Sequence, residues 1–168
     1  MTQWERLSWG IAFAVAAFLT DQATKAAALA AAPDLAQGIQ ILPFFDLVLV
    51  HSLGVTFGLL ATDHPIGQWL VILLTSAVTA GLLVWLARVQ SRLKAAALGL
   101  VIGGALGNLV DRLRHGAVTD FLDFHFQGYH WPTFNLADSG ILHGVLLLLI
   151  NDLLAPAGQH EVTGGKSS

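Results

Sequence analysis

Four long apolar segments, separated by more polar stretches, dominate the pattern of this chain. A helix that crosses a membrane needs about 20 consecutive, mostly apolar residues. The segments that approach or reach this length are approximately Leu7–Ala30, Ile66–Ala87, Ala95–Leu109 and Leu136–Ala155. The pattern therefore predicts an all-α integral membrane protein with four transmembrane helices.

The segment after the first predicted helix has a different pattern. Ile39, Ile41 and the run Leu47–Val50 are β-prone residues, and a proline and the pair Phe44–Phe45 lie between them. An amphipathic stretch around Phe57–Leu60 follows. We expect a small extracytoplasmic β-sheet and an amphipathic segment between the first and second transmembrane helices.

Composition supports the membrane assignment and excludes other classes. Of the 168 residues, 55% are hydrophobic and 11% are charged, whereas about a quarter of the residues of a soluble domain are charged. The net charge of −3 offers no basic surface for nucleic acid. Cysteine is absent, and the seven histidines lack the spacing of a helical zinc site, so we expect no metal or other cofactor. Residues 1–156 are predicted to form one domain, and residues 157–168 a disordered cytoplasmic tail.

Basic residues predict the orientation in the membrane, because loops on the cytoplasmic side carry most of the lysine and arginine. With the N-terminus inside, the cytoplasmic basic residues are Arg6, Arg88, Arg92, Lys94 and Lys166. Only Arg112 and Arg114 then lie outside. Both termini are therefore expected in the cytoplasm, with residues 31–65 and 112–135 on the extracytoplasmic side.

The first apolar segment contains two charged residues, Asp21 and Lys25. Since they are four residues apart on a helix, they share a face and can pair. The pair either neutralises two charges near the outer interface or supports an active site built on neighbouring helices. A cleaved signal peptide is a further alternative for this segment, but the apolar stretch is longer than is usual and the pair would serve no purpose there.

The third predicted helix carries two rows of residues at four-residue spacing. One row consists of Gly99, Gly103 and Gly107, which permits close contact between helices. The other row consists of Gly104, Asn108 and Arg112. Its amide and guanidinium are candidate hydrogen-bond donors to a peptide backbone or a lipid head group.

Residues Val118–Phe126 alternate as a β-strand does, and Asp120 is the only polar residue on its face of that strand. Asp123 lies on the opposite face. A carboxyl group among apolar neighbours has a raised pKa and is a candidate catalytic acid. The alternative is an aspartate that serves only in a turn.

Asp138 has both a structural and a catalytic interpretation. Asn135 and Asp138 have the spacing of a capping box at the start of the fourth helix. If Asp120 lies nearby, however, the two carboxyl groups cannot both ionise easily and would share a proton. The positive helix end favours Asp138 as the ionised base that activates a water molecule, with Asp120 as the protonated acid.

Four stretches of the chain together resemble the bacterial lipoprotein signal peptidases, also called type II signal peptidases. The stretches are Asp-Gln-Ala-Thr-Lys at 21–25, Gly-Gly-Ala-Leu-Gly-Asn-Leu-Val-Asp-Arg at 103–112, Val-Thr-Asp-Phe at 118–121 and Phe-Asn-Leu-Ala-Asp at 134–138. Their order and their placement at the outer ends of four helices fit this family. The resemblance covers nearly the whole chain apart from the tail.

The resemblance implies an intramembrane aspartyl endopeptidase of the bacterial inner membrane, without a cofactor, whose active site lies near the extracytoplasmic face. Such enzymes remove signal peptides from prolipoproteins by cutting before a diacylglyceryl-modified cysteine, and cyclic peptides of the globomycin type inhibit them. By match to the motifs, the catalytic pair would be Asp120 and Asp138. The residues that line the site and hold substrate would be Asn108, Arg112 and Asn135, with Asp21, Lys25 and Asp111 in support.

One departure from the family pattern concerns the first outer segment. The family has Asn-x-Gly there, whereas this chain has Ser52 and then Gly54. Serine lacks the paired donor and acceptor of an amide, so efficiency or substrate range is expected to change rather than the reaction type. The alternatives to the peptidase are a weakened relative that binds lipidated peptides without cutting them, and a proton-coupled carrier.

Overall fold

The structure is a computed structural model and describes residues 2–53 and 65–154. Its elements, in chain order, are α1 (Gln3–Ala30), α2 (Ala32–Leu35), β1 (Ile39–Leu42), β2 (Phe45–Ser52), α3 (Pro65–Leu86), α4 (Arg92–His115), β3 (Val118–Phe126), β4 (Tyr129–His130) and α5 (Leu136–Leu153). The predicted amphipathic stretch 57–60 and the predicted tail 157–168 lie outside the described residues.

Three of the described helices are long and apolar enough to cross a membrane, and these are α3, α4 and α5. This confirms the membrane character of the protein, but the predicted count of four spans is not confirmed. Helix α1 has 28 residues, yet it is not among the three, since the charged side chains of Asp21 and Lys25 interrupt its apolar sequence.

Helix α4 lies at the centre of the helical bundle, and small residues let its neighbours approach closely. A Cβ atom at Gly99 or Gly103 would collide with the backbone carbonyls of Gly10 and Ala14 on α1. A Cβ atom at Gly104 would collide with a backbone carbonyl on α5. The two predicted rows of α4 therefore face two different helices, and most of α4 is buried while α3 and α5 expose most of their surface.

Helix α4 is longer than predicted at both ends. Ser91 caps its N-terminus, and Gly116, with a φ of 75°, ends it in the left-handed conformation that favours glycine. The predicted boundary at Leu109 was wrong, because charged residues such as Asp111 and Arg112 usually indicate that a membrane helix has reached water. Asp111 is instead 3% exposed within the helix, since a cation on α1 neutralises it.

The β-strands form one antiparallel sheet with the order β1-β2-β3-β4. Strands β1 and β2 confirm the sheet predicted after the first helix. The prediction placed the whole sheet there, however, whereas β3 and β4 come from the segment between α4 and α5. Two segments far apart in sequence therefore build one sheet.

The pairing of β2 with β3 brings residues of both segments together. Val50 lies opposite Asp120, and Ser52 lies opposite Val118. An irregularity between Leu47 and Val50 shifts the register, so that residues of β2 on either side of it share a face with Asp120. The sheet rests on the bundle through Phe121, which packs in a buried apolar cluster with α1 and α2.

Candidate active site

Asp120 lies near the beginning of β3, close to where α4 ends. Its side chain is buried, with 3% of the residue exposed. The Asn135 Nδ2 group donates a hydrogen bond of 2.7 Å to Asp120 Oδ1, and the Ser52 side chain also hydrogen-bonds this carboxyl group. The predicted strand is thus confirmed, and Asp120 is held by donors from β2 and from the start of α5.

The pKa of Asp120 is raised to about 6, chiefly because the carboxyl group is buried. The nearby charge of Asp138 also contributes to the rise, whereas the hydrogen bonds from Ser52 and Asn135 oppose it. Since an ordinary aspartate titrates near 3.8, this carboxyl group keeps its proton over a much wider pH range. It is suited to act as a proton donor in mildly acidic conditions.

Asp138 does form the capping box that its spacing predicted. Its Oδ2 atom accepts the Asn135 backbone N–H at 3.2 Å, and its own N–H donates to Asn135 Oδ1 at 3.0 Å. The other carboxylate oxygen, Oδ1, accepts a 2.8 Å hydrogen bond from Asn108 Nδ2. Capping therefore occupies one oxygen of Asp138 and leaves the other facing a polar site.

Asn135 joins the two carboxyl groups. It is fully buried, and its amide nitrogen donates to Asp120 and to Asn108 Oδ1, the latter at 3.1 Å. Its amide oxygen meanwhile caps α5 by accepting the N–H of Asp138. The same side chain thus sets the start of the helix and holds Asp120 against it.

Arg112 lies one turn beyond Asn108 on α4. Its Nη1 group donates to the Asn108 backbone oxygen at 3.3 Å, and its Nε atom is buried without a hydrogen-bond partner in the described part of the chain. Arg112 also interacts electrostatically with Asp138 and Asp120. A cation with an unused donor therefore lies near enough to both carboxyl groups to interact with them electrostatically.

A buried ionic cluster of Asp21, Lys25 and Asp111 lies beneath this site. The Lys25 ammonium is 2.9 Å from Asp21 Oδ2 and 3.1 Å from Asp111 Oδ2. Asp21 Oδ1 accepts the backbone N–H of Ala137, at the first turn of α5. Asp111 Oδ2 accepts the backbone N–H of Thr119, next to Asp120. The cluster thus links α1 and α4 to the two segments that carry Asp120 and Asp138.

Gln22 is a polar residue of this region that the sequence did not single out. Its side-chain nitrogen lies 3.2 Å from Asp21 Oδ2 and 3.5 Å from Asp111 Oδ1. The sequence feature that could have identified Gln22 is its position directly after Asp21 in a mostly apolar helix. A polar residue there needs a buried partner, which is a reason to include it.

Of the two residues at which the sequence was compared with the Asn-x-Gly pattern of the family, the structure describes one. Ser52 is at the end of β2 and contacts Asp120. Gly54 lies outside the described residues.

Asp123, three residues after Asp120, does not join the site. Its Oδ2 atom is 2.8 Å from His130 Nδ1 on β4, and it lies opposite Asp46 in the β2–β3 ladder. Within residues 2–53 and 65–154, no group of three or more His, Asp or Glu side chains is placed to hold a metal ion.

The fold is similar to that of solved membrane enzymes. One is described as a bacterial membrane enzyme structure obtained by the in meso method at 2.3 Å resolution; the TM-score is 0.74 and the identity 28%, over 91% of this chain and 93% of the other. A second such structure, at 1.9 Å resolution, gives the same TM-score over 87% and 93%. The fold and the paired carboxyl groups thus define a membrane-embedded enzyme.

The sequence comparisons specify the family. The family model described as signal peptidase (SPase) II matches residues 13–154. A lipoprotein signal peptidase of Nitrobacter hamburgensis is 42% identical over 86% of this chain and 92% of its own. One of Aeromonas hydrophila is 44% identical over 82% and 84%. This chain belongs to the signal peptidase II family of aspartic proteases, which confirms the predicted family and enzyme class.

Proposed function

We propose that this protein is an intramembrane aspartyl endopeptidase that cuts prolipoproteins before a diacylglyceryl-modified cysteine, with Asp120 and Asp138 as the catalytic pair. The observation that carries the proposal is the bridge through Asn135, which bonds both carboxyl groups. Family membership supports the substrate class, because the relatives are named lipoprotein signal peptidases.

The proposed reaction uses the two carboxyl groups in different protonation states. Asp138, at the positive end of α5, is the ionised base that takes a proton from a water molecule. The oxygen of that water bonds to the scissile carbonyl carbon while Asp120 gives its proton to the carbonyl oxygen. As the tetrahedral intermediate collapses, the carbon–nitrogen bond breaks, the carbonyl oxygen returns its proton to Asp120, and Asp138 passes its proton to the leaving amine. The pKa of about 6 for Asp120 supports its role as the acid.

The neighbouring polar groups are proposed to hold the substrate and to support the pair. The unused Nε donor of Arg112 suits a substrate carbonyl or a phosphate of a lipid head group. Asn108 and Asn135 line the same site, and Ser52 together with Gly54 is proposed to border the scissile segment. Binding of globomycin-type cyclic peptides is expected at this site too.

We propose that α1 is the fourth span of a single domain over residues 1–156. Close packing of α1 on α4, which is long and apolar enough to cross a membrane, supports this arrangement. The distribution of lysine and arginine then favours cytoplasmic termini and a site near the extracytoplasmic face of the inner membrane. The contribution of Asp21 and Lys25 to the buried cluster favours a retained helix over a cleaved signal peptide.

A weakened relative that binds lipidated peptides without cutting them is the second candidate. It rests on Ser52, which replaces the expected asparagine but still hydrogen-bonds Asp120.

The deciding experiment is a gel-shift assay of purified protein with a diacylglyceryl-modified prolipoprotein, beside the variants Asp138→Asn and Ser52→Asn. Cleavage by the wild type and none by Asp138→Asn supports the peptidase. If only Ser52→Asn cuts, the chain is a relative that has lost catalysis. If neither the wild type nor Ser52→Asn cuts although both bind the substrate, the non-cleaving candidate is favoured.

A further inference from the structure

Lys25 uses every proton of its ammonium group in the buried interior. Besides the two carboxylates of the ionic cluster, it donates to the side-chain oxygen of Asn108 at 2.9 Å. The lysine is 2% exposed, so water does not compete for these bonds. The third bond is the one that reaches toward the proposed catalytic pair.

This bond determines which way the Asn108 amide points. Its oxygen lies between two donors, the Lys25 ammonium at 2.9 Å and the Asn135 Nδ2 group at 3.1 Å. Its nitrogen lies 2.8 Å from Asp138 Oδ1. Turning the amide over would place an NH₂ group against an ammonium and another NH₂ group, and an oxygen against a carboxylate. All three contacts would then be repulsive.

We propose that Lys25 is a positioning residue, whose ammonium fixes the Asn108 amide so that its nitrogen donates to Asp138 and its oxygen aligns Asn135. The inference rests on the proposed function, since it concerns the same pair of carboxyl groups. Through Asn108, the lysine keeps Asp138 supplied with a donor. Through Asn135, it aligns the amide that holds Asp120. Lys25 itself hydrogen-bonds neither carboxyl group of the pair, acts directly on Asp120 only through its charge, and needs no contact with substrate.

The competing explanation is that Lys25 only neutralises Asp21 and Asp111 and so stabilises the bundle. In that case its removal would act independently of Asn108. A double-mutant cycle separates the two explanations, because two residues that act through one contact have effects that do not multiply.

The cycle compares wild type, Lys25→Met, Asn108→Ala and the double variant on a diacylglyceryl-modified prolipoprotein, with kcat normalised to folded protein. We expect Lys25→Met to lower kcat by about tenfold to a hundredfold with little change in KM, the range for loss of a hydrogen bond to a charged group. In the Asn108→Ala background the same change should cost less than about threefold. Lys25→Arg, which keeps charge and donors, should recover part of the loss.

Lys94→Met is the matched control, because Lys94 pairs with the exposed Asp152 far from this contact in sequence. It should leave kcat unchanged. Equal effects of Lys25→Met in both backgrounds would overturn the positioning role.

A spectroscopic measurement keeps the inference testable if Lys25→Met does not fold. In protein labelled with ¹⁵N-asparagine, the Asn108 side-chain signals, assigned by their loss in Asn108→Ser, should shift in Asp138→Asn and stay in place in Lys94→Met. Signals unmoved by Asp138→Asn would show that the nitrogen does not face Asp138, which overturns the inference. An inactive wild type would instead overturn the proposed function, and the signals would still report the amide orientation.

Discussion

Asp120 and Asp123 lie three residues apart on β3 and are 3% and 6% exposed, yet their surroundings differ. Asp120 is held by amide and hydroxyl donors and feels the charge of Asp138. Asp123 pairs with the imidazole of His130 and lies opposite Asp46 on β2, which pairs with a second histidine. Burial of a carboxyl group next to another carboxyl group therefore does not by itself distinguish the proposed catalytic residue. The distinguishing feature is Asn135, whose side-chain amide donates to the Asp120 carboxyl group and whose backbone N–H donates to the Asp138 carboxylate.

The largest effect is expected from removing either member of the pair. Asp120→Asn and Asp138→Asn keep the shape of the side chain but cannot share a proton. Each should lower cleavage by about 10²- to 10⁴-fold, the usual contribution of acid–base catalysis. A gel-shift assay on variants shown by circular dichroism to be folded measures this. Retained turnover in either variant would refute the assignment of the pair.

Removing the bridging amide should have the next largest effect. Asn135→Ala deletes a donor to Asp120 and the cap of α5, and it should lower kcat by about tenfold or more. Because the Asn135 hydrogen bond lowers the pKa of Asp120, that pKa should rise and the alkaline side of the pH–rate profile should move to higher pH. Asn151→Ala, at the other end of α5, is the control. A pH–rate profile whose alkaline side does not move in Asn135→Ala would contradict the shared-proton mechanism.

A smaller shift of the pH–rate profile is expected from removing the Ser52 hydroxyl, which contacts the same carboxyl group. The protonated fraction of Asp120 falls as pH rises through its pKa of about 6, so cleavage should decline above that pH. Ser52→Ala removes a hydrogen bond that lowers this pKa, and the decline should move to higher pH by a fraction of a unit. Ser52→Asn retains a donor, so its pH dependence should stay close to that of the wild type. The measurement is kcat/KM from pH 4 to 9, and a shift to lower pH in Ser52→Ala would be inconsistent with the contact.

The smallest effect is expected at Asp123. Asp123→Asn keeps an acceptor for His130 and lies outside the proposed site, so kcat/KM should stay within about threefold of the wild type. The same prolipoprotein assay gives this value beside Asp120→Asn. Loss of activity in a folded Asp123→Asn protein would mean that the wrong aspartate of β3 was chosen.

Much of the local structure was predictable because it depends on neighbours in the chain. The alternation along β3, the capping box of Asn135 and Asp138, and the glycine row of α4 are all present. The end of α4 was predicted too early, because charged residues normally mark a helix end in water. Asp111 departs from that expectation because Lys25, far away in sequence, neutralises it and the backbone N–H of Thr119 bonds it.

The sequence by itself determined that the protein is membrane-embedded, which family it resembles, and which aspartates are candidates. These conclusions follow from hydropathy, periodicity and short motifs, all of which are properties of contiguous residues. Only the tertiary structure decided that Lys25 contacts Asn108, 83 residues away, and that Asp21 bonds the backbone of Ala137, 116 residues away. A buried charge must find a partner, but the packing of the helices selects which polar group that partner is.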